Sequence, residues 1–245
     1  MPKFFAPECD LQQEFITLSG SNAEHLRVLR VRMGEELTVS DGRGSEARCA
    51  VELAGKENCR LRVLERMPAS GEASVSVTVY AGFPKGDKAE TIVQKSVELG
   101  ADSIVFFLSS RCVARPDDKS AAGKAERLGK VAEAAAMQSG RGKIPAVRWI
   151  PRFADMLSEA AAAELRAFLW EEADGCSLRG LMQGCAAFRT AALITGPEGG
   201  FSQEEAAQAR EAGIPAVTLG KRILRCETAP LCALAALMYE TGNLE

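Results

Sequence analysis

Histidine is almost missing from this chain of 245 residues: His25 is the only one. A metal centre built on several histidines is therefore excluded, and His25 reads as a surface or structural residue rather than as a catalyst. No run of about 18 apolar residues occurs, so no conventional membrane-spanning helix is expected. The opening stretch Met1-Pro2-Lys3-Phe4-Phe5-Ala6-Pro7-Glu8 lacks the long apolar segment of a secretory signal, and a cytoplasmic location follows as an expectation. Eight cysteines are present, at 9, 49, 59, 112, 176, 185, 226 and 232, yet no two form a Cys-x-x-Cys pair. Scattered singly, they read as small buried hydrophobes in a reducing compartment rather than as disulfides or metal ligands.

A strong charge imbalance is also lacking. The formal net charge is −3, which does not by itself mark a nucleic-acid binder. The distribution is more informative. Between Ser109 and Arg152 there are ten Lys and Arg residues against four carboxylates, and an acidic stretch follows from Glu159 to Asp174. A locally basic face can hold phosphates while the whole chain stays acidic. A solvated helix face explains the same pattern, so the charge needs support from motifs.

What is present falls into two styles that meet near residue 70. Before it, short apolar alternations are broken by turn signals. Glu36–Ser40 runs into Asp41-Gly42-Arg43-Gly44, a hairpin signal, and the alternation resumes from Glu46 to Leu53. Arg60–Leu64 reads as a further strand and Asn22–Val31 as a short helix. Met67-Pro68-Ala69-Ser70-Gly71-Glu72 is the boundary, dividing the chain into a small β-rich module (1–72) and a larger domain (73–245). In the larger domain, strands at Val75–Ala81, Ser103–Leu108, Ala146–Ile150, Ala167–Trp170, Ala191–Thr195 and Ala216–Leu219 alternate with helical segments. The helices span Lys88–Leu99, Lys119–Gln138 and Phe153–Ala163, one opened by the capping box Ser202-Gln203-Glu204-Glu205, and Ala229–Tyr239. Such alternation predicts an α/β fold with a mainly parallel sheet covered by helices.

Open α/β sheets bind ligands where loops leave the C-terminal ends of strands, and three such loops are unusual. Thr195-Gly196-Pro197-Glu198-Gly199-Gly200-Phe201 lets backbone approach a ligand closely. Its spacing is neither Gly-x-Gly-x-x-Gly nor a P-loop, which argues against a nucleoside triphosphate. Taken alone it is equally explained as a tight turn. Leu219-Gly220-Lys221-Arg222-Ile223-Leu224-Arg225 places three cations within five residues at a strand end, an arrangement suited to a phosphate or a developing negative charge. Trp170-Glu171-Glu172-Ala173-Asp174-Gly175 offers an aromatic surface and carboxylates, or is simply a polar connection. A dinucleotide oxidoreductase is disfavoured, since Ala81-Gly82-Phe83-Pro84-Lys85-Gly86 poorly matches the required glycine pattern.

Together these residues resemble a known family. Gly196-Pro197-Glu198-Gly199-Gly200-Phe201 followed by Leu219-Gly220-x-Arg222-Ile223-Leu224-Arg225-x-Glu227-Thr228-Ala229 is similar to the paired C-terminal signature of RsmE-type SPOUT methyltransferases. Further agreement lies in Gln138-Ser139-x-Arg141 before Ile144-Pro145, in Lys95-x-x-Glu98-Leu99-Gly100, and in His25–Arg32. Cys226 stands where that signature more often has threonine. The resemblance spans essentially the whole chain. It implies a PUA-like RNA-binding β-barrel followed by a SPOUT domain carrying a trefoil knot, an exception to the rule against threaded chains. It further implies S-adenosyl-L-methionine (SAM) as methyl donor and methylation at N3 of one uridine in the 16S RNA of the small ribosomal subunit. A homodimer through the SPOUT domain, with the closing helix at the interface, is implied as well.

On this resemblance Trp170, Thr195, Gly196, Pro197, Gly199, Gly200, Leu219, Gly220, Ile223, Leu224 and Thr228 hold SAM. Arg222 and Arg225 stabilise negative charge on the uracil or clamp a phosphate, and Glu198 accepts the N3 proton or orients its loop. Arg27, Arg30, Arg32, Arg111, Arg115, Arg141 and Lys143 hold the RNA backbone. Two rivals are a SPOUT enzyme with another target, such as a transfer-RNA ribose, and a non-catalytic RNA-binding scaffold. The Arg222-Ile223-Leu224-Arg225-x-Glu227-Thr228 arrangement weighs against the first, and the cation cluster together with the intact glycine loop against the second.

Overall fold

The hairpin expected at Asp41-Gly42-Arg43-Gly44 forms for local reasons. The Asp41 carboxylate accepts hydrogen bonds from the backbone N–H groups of Arg43 and Ser45, and Gly42 and Gly44 both take positive φ, 69° and 109°. In the computed structural model, which describes residues 1–185 and 187–244, the hairpin joins β3 (Glu36–Ser40) to β4 (Ser45–Ala54). β5 (Asn58–Pro68) pairs antiparallel with β4 and extends beyond the expected Arg60–Leu64. Two strands escaped the pattern reading, β1 (Lys3–Phe5) and β2 (Phe15–Ser19). The sheet order is β1-β3-β4-β5-β2, and β1 on β3 is its parallel pair. Alternate residues Leu37, Val39, Ala47, Cys49 and Leu61 turn inward onto Phe4 and Leu18, and α1 (Gly20–Val28) adds Leu26 to that core. His25 sits edge-on to the Phe4 ring at 5.4 Å, the structural placement expected of it.

This first compact unit comprises Met1–Glu72 together with Ala136–Ile144. The second segment was read from sequence as part of the larger domain. It is held by an internal ion pair. The Arg141 guanidinium meets Glu72 at 2.7 Å with its side chain only 5% exposed. Glu72 also accepts the backbone N–H groups of Gly142 and Lys143, and the Ser40 hydroxyl donates to the Gly142 carbonyl. Gly142 is required there, because a Cβ would fall 2.0 Å from that of Ala69. Arg141 therefore does not lie on the surface as the RNA-contact reading supposed. A guanidinium buried against a carboxylate is a fastening of the fold.

The second unit comprises Ala73–Ala135 and Pro145–Glu245. Its strands are β6 (Ser76–Gly82), β7 (Ser103–Phe107), β8 (Ala146–Ile150), β9 (Leu165–Leu169), β10 (Thr190–Thr195) and β11 (Ala216–Val217). They pair in the order β11-β9-β10-β6-β7-β8, every neighbour parallel. β7, buried at all five positions, shows the continuous apolar run of a strand covered on both faces. The helices are α2 (Lys88–Glu98), α3 (Asp118–Ser139), α4 (Phe153–Ala160), α5 (Leu178–Gln183), α6 (Gln203–Glu211) and α7 (Thr228–Glu240). Of these, only α5 was not read from the sequence. The chain crosses from β8 at one edge to β9 near the other, returns to the middle for β10, and ends at the far edge as β11. That path makes β11, β9 and β10 neighbours, so the loops leaving their C-terminal ends gather in one place. Among the described residues no helix is long and apolar enough to cross a membrane.

Candidate active site

A cleft of about 580 Å³ opens where those three loops meet, within the roughly 300–1,000 Å³ range of small-molecule and cofactor sites. Of the residues expected from sequence, Trp170, Thr195, Gly196, Pro197, Glu198, Gly200, Leu219, Gly220, Arg222, Ile223, Leu224 and Arg225 line it. Gly199 and Thr228 do not. Lys88 and Thr218 are lining residues that the motif reading did not single out.

The glycine loop is shaped by close backbone approach. Gly200 has φ 64°, and a Cβ on it would fall 2.5 Å from a Glu171 carboxylate oxygen. A Cβ on Gly196 would meet the Gly200 backbone at 3.0 Å. Gly199 serves a different neighbour. Its Cβ would strike Arg111 at 2.9 Å, and the Arg111 guanidinium donates to the Gly199 carbonyl at 3.1 Å. Gly199 is thus needed to seat the loop between β7 and α3, which explains its absence from the cleft wall. The capping box at α6 is present in both halves, and the buried Glu205 additionally accepts the Ser110 N–H at 2.7 Å. Phe201, 1% exposed, packs on Phe168 with ring centres 4.1 Å apart. This anchors the C-terminal end of the loop in the core.

The cationic loop is open by contrast. Lys221, Arg222, Ile223 and Arg225 are exposed, Ile223 to 85%. Among the described residues none of the three cations makes an ion pair. Gly220 has φ 101°, with open space where a Cβ would stand. The Arg225 carbonyl accepts the N–H groups of Thr228 and Ala229 and so starts α7, which gives Thr228 a place in the helix start rather than on the wall.

Lys88, the first residue of α2, reaches across to both loops. Its ammonium donates to Glu198 at 2.9 Å and lies 3.7 Å from Glu227. Glu198 also accepts the Lys85 backbone N–H at 3.0 Å. Burial alone would raise the Glu198 carboxyl, but the Lys88 and backbone hydrogen bonds outweigh it and hold the group below the ordinary carboxylate range. Glu227 is lowered in the same sense: burial opposes, and hydrogen bonds from its own backbone and Cys226 and the charge of Lys88 prevail. Burial pushes the Cys226 thiol up to about 12, and it donates to Glu227 at 3.3 Å. A threonine hydroxyl supplies the same donor, so cysteine fits this place in the signature.

The other cations expected to meet RNA divide by environment. Arg27, Arg30 and Arg32 are exposed on α1 and the turn after it, where Arg30 takes φ 55°. Lys143 is exposed. Arg115 curls back, donating to the carbonyls of Ser109, Ser110 and Cys112, and Arg111 braces Gly199. Among the described residues no group of three or more His, Cys, Asp or Glu side chains is placed to hold a metal.

The fold and the cleft define an α/β domain with a cofactor-sized cleft at its strand ends, in one chain with a small β module. The chain belongs to the RNA methyltransferase family: the RNA methyltransferase domain matches residues 71–238, and the RNA methyltransferase PUA domain matches residues 18–64. It is 32% identical over 233 residues to the ribosomal RNA small subunit methyltransferase E of Bacillus subtilis, covering 93% of this chain and 91% of that one. It is 36% identical over 220 residues to the Mycobacterium bovis protein of the same name, covering 88% and 82%. The crystal structure of ribosomal RNA small subunit methyltransferase E from Neisseria gonorrhoeae, bound to S-adenosyl methionine, matches with a TM-score of 0.87 at 33% identity, covering 98% of each chain. The PUA-like and SPOUT fold expected from the motifs is the fold of this chain.

Proposed function

We propose that this protein transfers a methyl group from SAM to N3 of one uridine in the 16S RNA of the small ribosomal subunit. The observation that carries the reading is the cleft itself, where a glycine loop of exposed backbone faces a loop of unpaired cations. The residues fit SAM. Gly196 and Gly200 let the backbone close up where a Cβ would strike the Gly200 backbone or the Glu171 carboxylate, Gly220 leaves open space where a Cβ would stand, and among the described residues the buried Trp170 indole N–H has no hydrogen-bond partner. SAM supplies a methyl group on a sulfonium. The backbone of Thr195, Gly196, Pro197, Leu219, Gly220, Ile223 and Leu224 holds it, with Trp170 and Gly200 on the wall, while Gly199 and Thr228 support the loops from behind.

The protein's part in the reaction is placement and charge. Arg222 and Arg225 stabilise the uracil oxygens as N3 loses its proton. Glu198 faces the cleft, but a carboxylate kept ionised by Lys88 is a weak base. Its role is to orient the loop, and the N3 proton leaves to solvent. The target base is presented unpaired or extruded. Residues 1–72 form the RNA-docking module and 73–245 the methyltransferase domain. Arg27, Arg30, Arg32 and Lys143 meet the RNA backbone, and Arg111 does so from the loop between β7 and α3 while bracing Gly199. The active unit is a cytoplasmic homodimer joined through α7, which is apolar all round yet leaves Cys232, Ala236 and Tyr239 exposed.

Methyl transfer from labelled SAM to small subunits lacking modifications, followed by nucleoside analysis, tests this. The expected product is 3-methyluridine. Label on a ribose or another base moves the target, and no SAM binding at all leaves an RNA-binding scaffold.

A further inference from the structure

Four elements bring groups to one corner of the cleft: the turn after β6, the start of α2, the glycine loop and the end of the cationic loop. Lys88 stands between their carboxylates: its ammonium bonds Glu198 at 2.9 Å and stands 3.7 Å from Glu227 and 3.8 Å from the Cys226 sulfur. Glu198 is held from a second side by the Lys85 N–H. Glu198 lies in the middle of the glycine loop, and Glu227 lies two residues beyond Arg225. One ammonium on a helix thus ties together the two loops that face each other across the cleft. No substrate contact is needed for this. It is a fixed point for backbone that must hold a ligand.

We propose that Lys88 is a positioning residue for methyl transfer: by bridging Glu198 and Glu227 it sets the spacing of the glycine and cationic loops before the methyl donor binds. The proposal rests on the methyltransferase reading above. The surrounding charges fit it. The Lys88 ammonium is raised above its ordinary range by the hydrogen bond to Glu198, against the opposing effect of burial, and both carboxylates are lowered. The bridge is therefore fully ionised at neutral pH. A lone lysine on a polar helix face would shift neither partner. Pre-ordering a loop raises affinity by removing the cost of ordering it on binding, so loss of the bridge registers chiefly in donor affinity.

The test compares wild type with Lys88→Met, Lys88→Arg, Glu198→Gln and the double variant Lys88→Met/Glu198→Gln, all in the full chain. Hydrogen exchange of the donor-free protein is the first readout. Lys88→Met is expected to speed exchange about tenfold at 196–201 and 219–227 together, while the β7 and β10 strands keep wild-type protection. The second is SAM affinity by calorimetry, expected to fall about 5- to 30-fold in Lys88→Met and to be largely restored in Lys88→Arg. The third is the coupling: if Lys88 acts through Glu198, the double variant is no worse than the weaker single one. Unchanged loop exchange, unchanged SAM affinity in Lys88→Met, or fully additive losses would each overturn the proposal. If Lys88→Met does not fold, Glu198→Gln breaks the same bridge from the other side and carries the first two expectations, faster loop exchange and weaker SAM binding. Absence of SAM binding in wild type overturns the methyltransferase reading, and this proposal with it.

Discussion

Gly82→Ala is the substitution whose effect the structure fixes most closely. Gly82 is the last residue of β6, and its φ is unremarkable, so alanine meets no backbone strain of its own there. The added Cβ, however, falls 2.5 Å from the Pro197 Cδ, 2.6 Å from the Pro197 nitrogen and 3.1 Å from the Gly196 carbonyl carbon. Two of those three atoms are backbone, and the third is in a rigid ring, so no rotamer change relieves the clash. Pro197 must retreat by about half an ångström to reach even the shortest tolerated contact of 3.0 Å. It cannot retreat alone, because Gly196 and Glu198 flank it, Glu198 is fastened to Lys88 and Lys85, and Phe201 is locked in the core. Overpacking of this kind costs about 1–3 kcal/mol, shared between the fold and the shape of the cleft. With a tenfold affinity change for every 1.4 kcal/mol, we expect SAM binding to weaken about 5- to 30-fold. Unfolding free energy should fall by about 1 kcal/mol, within the overpacking range. The assays are calorimetric titration with SAM and denaturant unfolding. Gly213→Ala is the control, since Gly213 has φ 74° but open space around a Cβ. It costs stability through left-handed strain, about 1–2 kcal/mol, with no change in affinity. If Gly82→Ala binds SAM within twofold of wild type, the steric account of the glycine loop is refuted.

Three further outcomes follow from single environments. Gly123, exposed inside α3 with open space where its Cβ would stand, becomes a better helix former as alanine. Gly123→Ala should raise unfolding free energy by about 0.5–1 kcal/mol with methylation unchanged; a loss would mean that α3 is constrained there. Glu72→Gln should destabilise by about 3 kcal/mol, because it strips the carboxylate from a buried guanidinium. Burial raises Glu72, but Arg141 outweighs this and lowers it. Its contribution is therefore complete above the unfolded-state value near 4.3 and fades as pH falls through the lower folded-state value. The gap between wild type and Glu72→Gln should thus narrow on acidification, and a gap that widens is the contrary result. Arg225→Gln should cut methylation of small-subunit RNA at least tenfold while SAM affinity stays within threefold, since an exposed cation serves the target rather than the fold. Equal losses of both would move Arg225 to the donor side.

Much of this was legible in the chain. Alternation in Glu36–Ser40 and Glu46–Leu53 marked the hairpin because Leu37, Val39, Ala47, Cys49 and Val51 all turn into one core. The apolar run Ile104-Val105-Phe106-Phe107 marked β7 as a strand, and that strand is covered on both faces. Ser202 and Glu205 announced α6 because a capping box is a local bargain between two side chains and two backbone groups. β1 and β2 did not show. β1 has three residues, too few to establish a period, and the pairing partners of both strands lie more than 30 residues away in sequence. α5 is six residues with Gly180 inside it, and reads as loop for the same reason.

The site divides along the same line. Glycines and clustered cations at strand ends carry their meaning in sequence, because backbone exposure and charge density are local properties. What a cation faces is not local. Arg141 stands beside Gly142 and Lys143 in what reads as a basic surface, yet it is turned inward by Glu72, 69 residues earlier. Arg115 spends its donors on carbonyls three to six residues back, and Arg111 is drawn onto Gly199. Lys88 shows the converse. It looks like an ordinary solvated lysine at a helix start, and only the fold sets it between two carboxylates from the distant C-terminal loops. The basic stretch from Ser109 to Arg152 thus overstates the surface open to RNA, and the motif loops understate the machinery of the cleft. A charge read from sequence locates a field; the long-range partner decides whether that field points at a ligand or at the protein's own backbone.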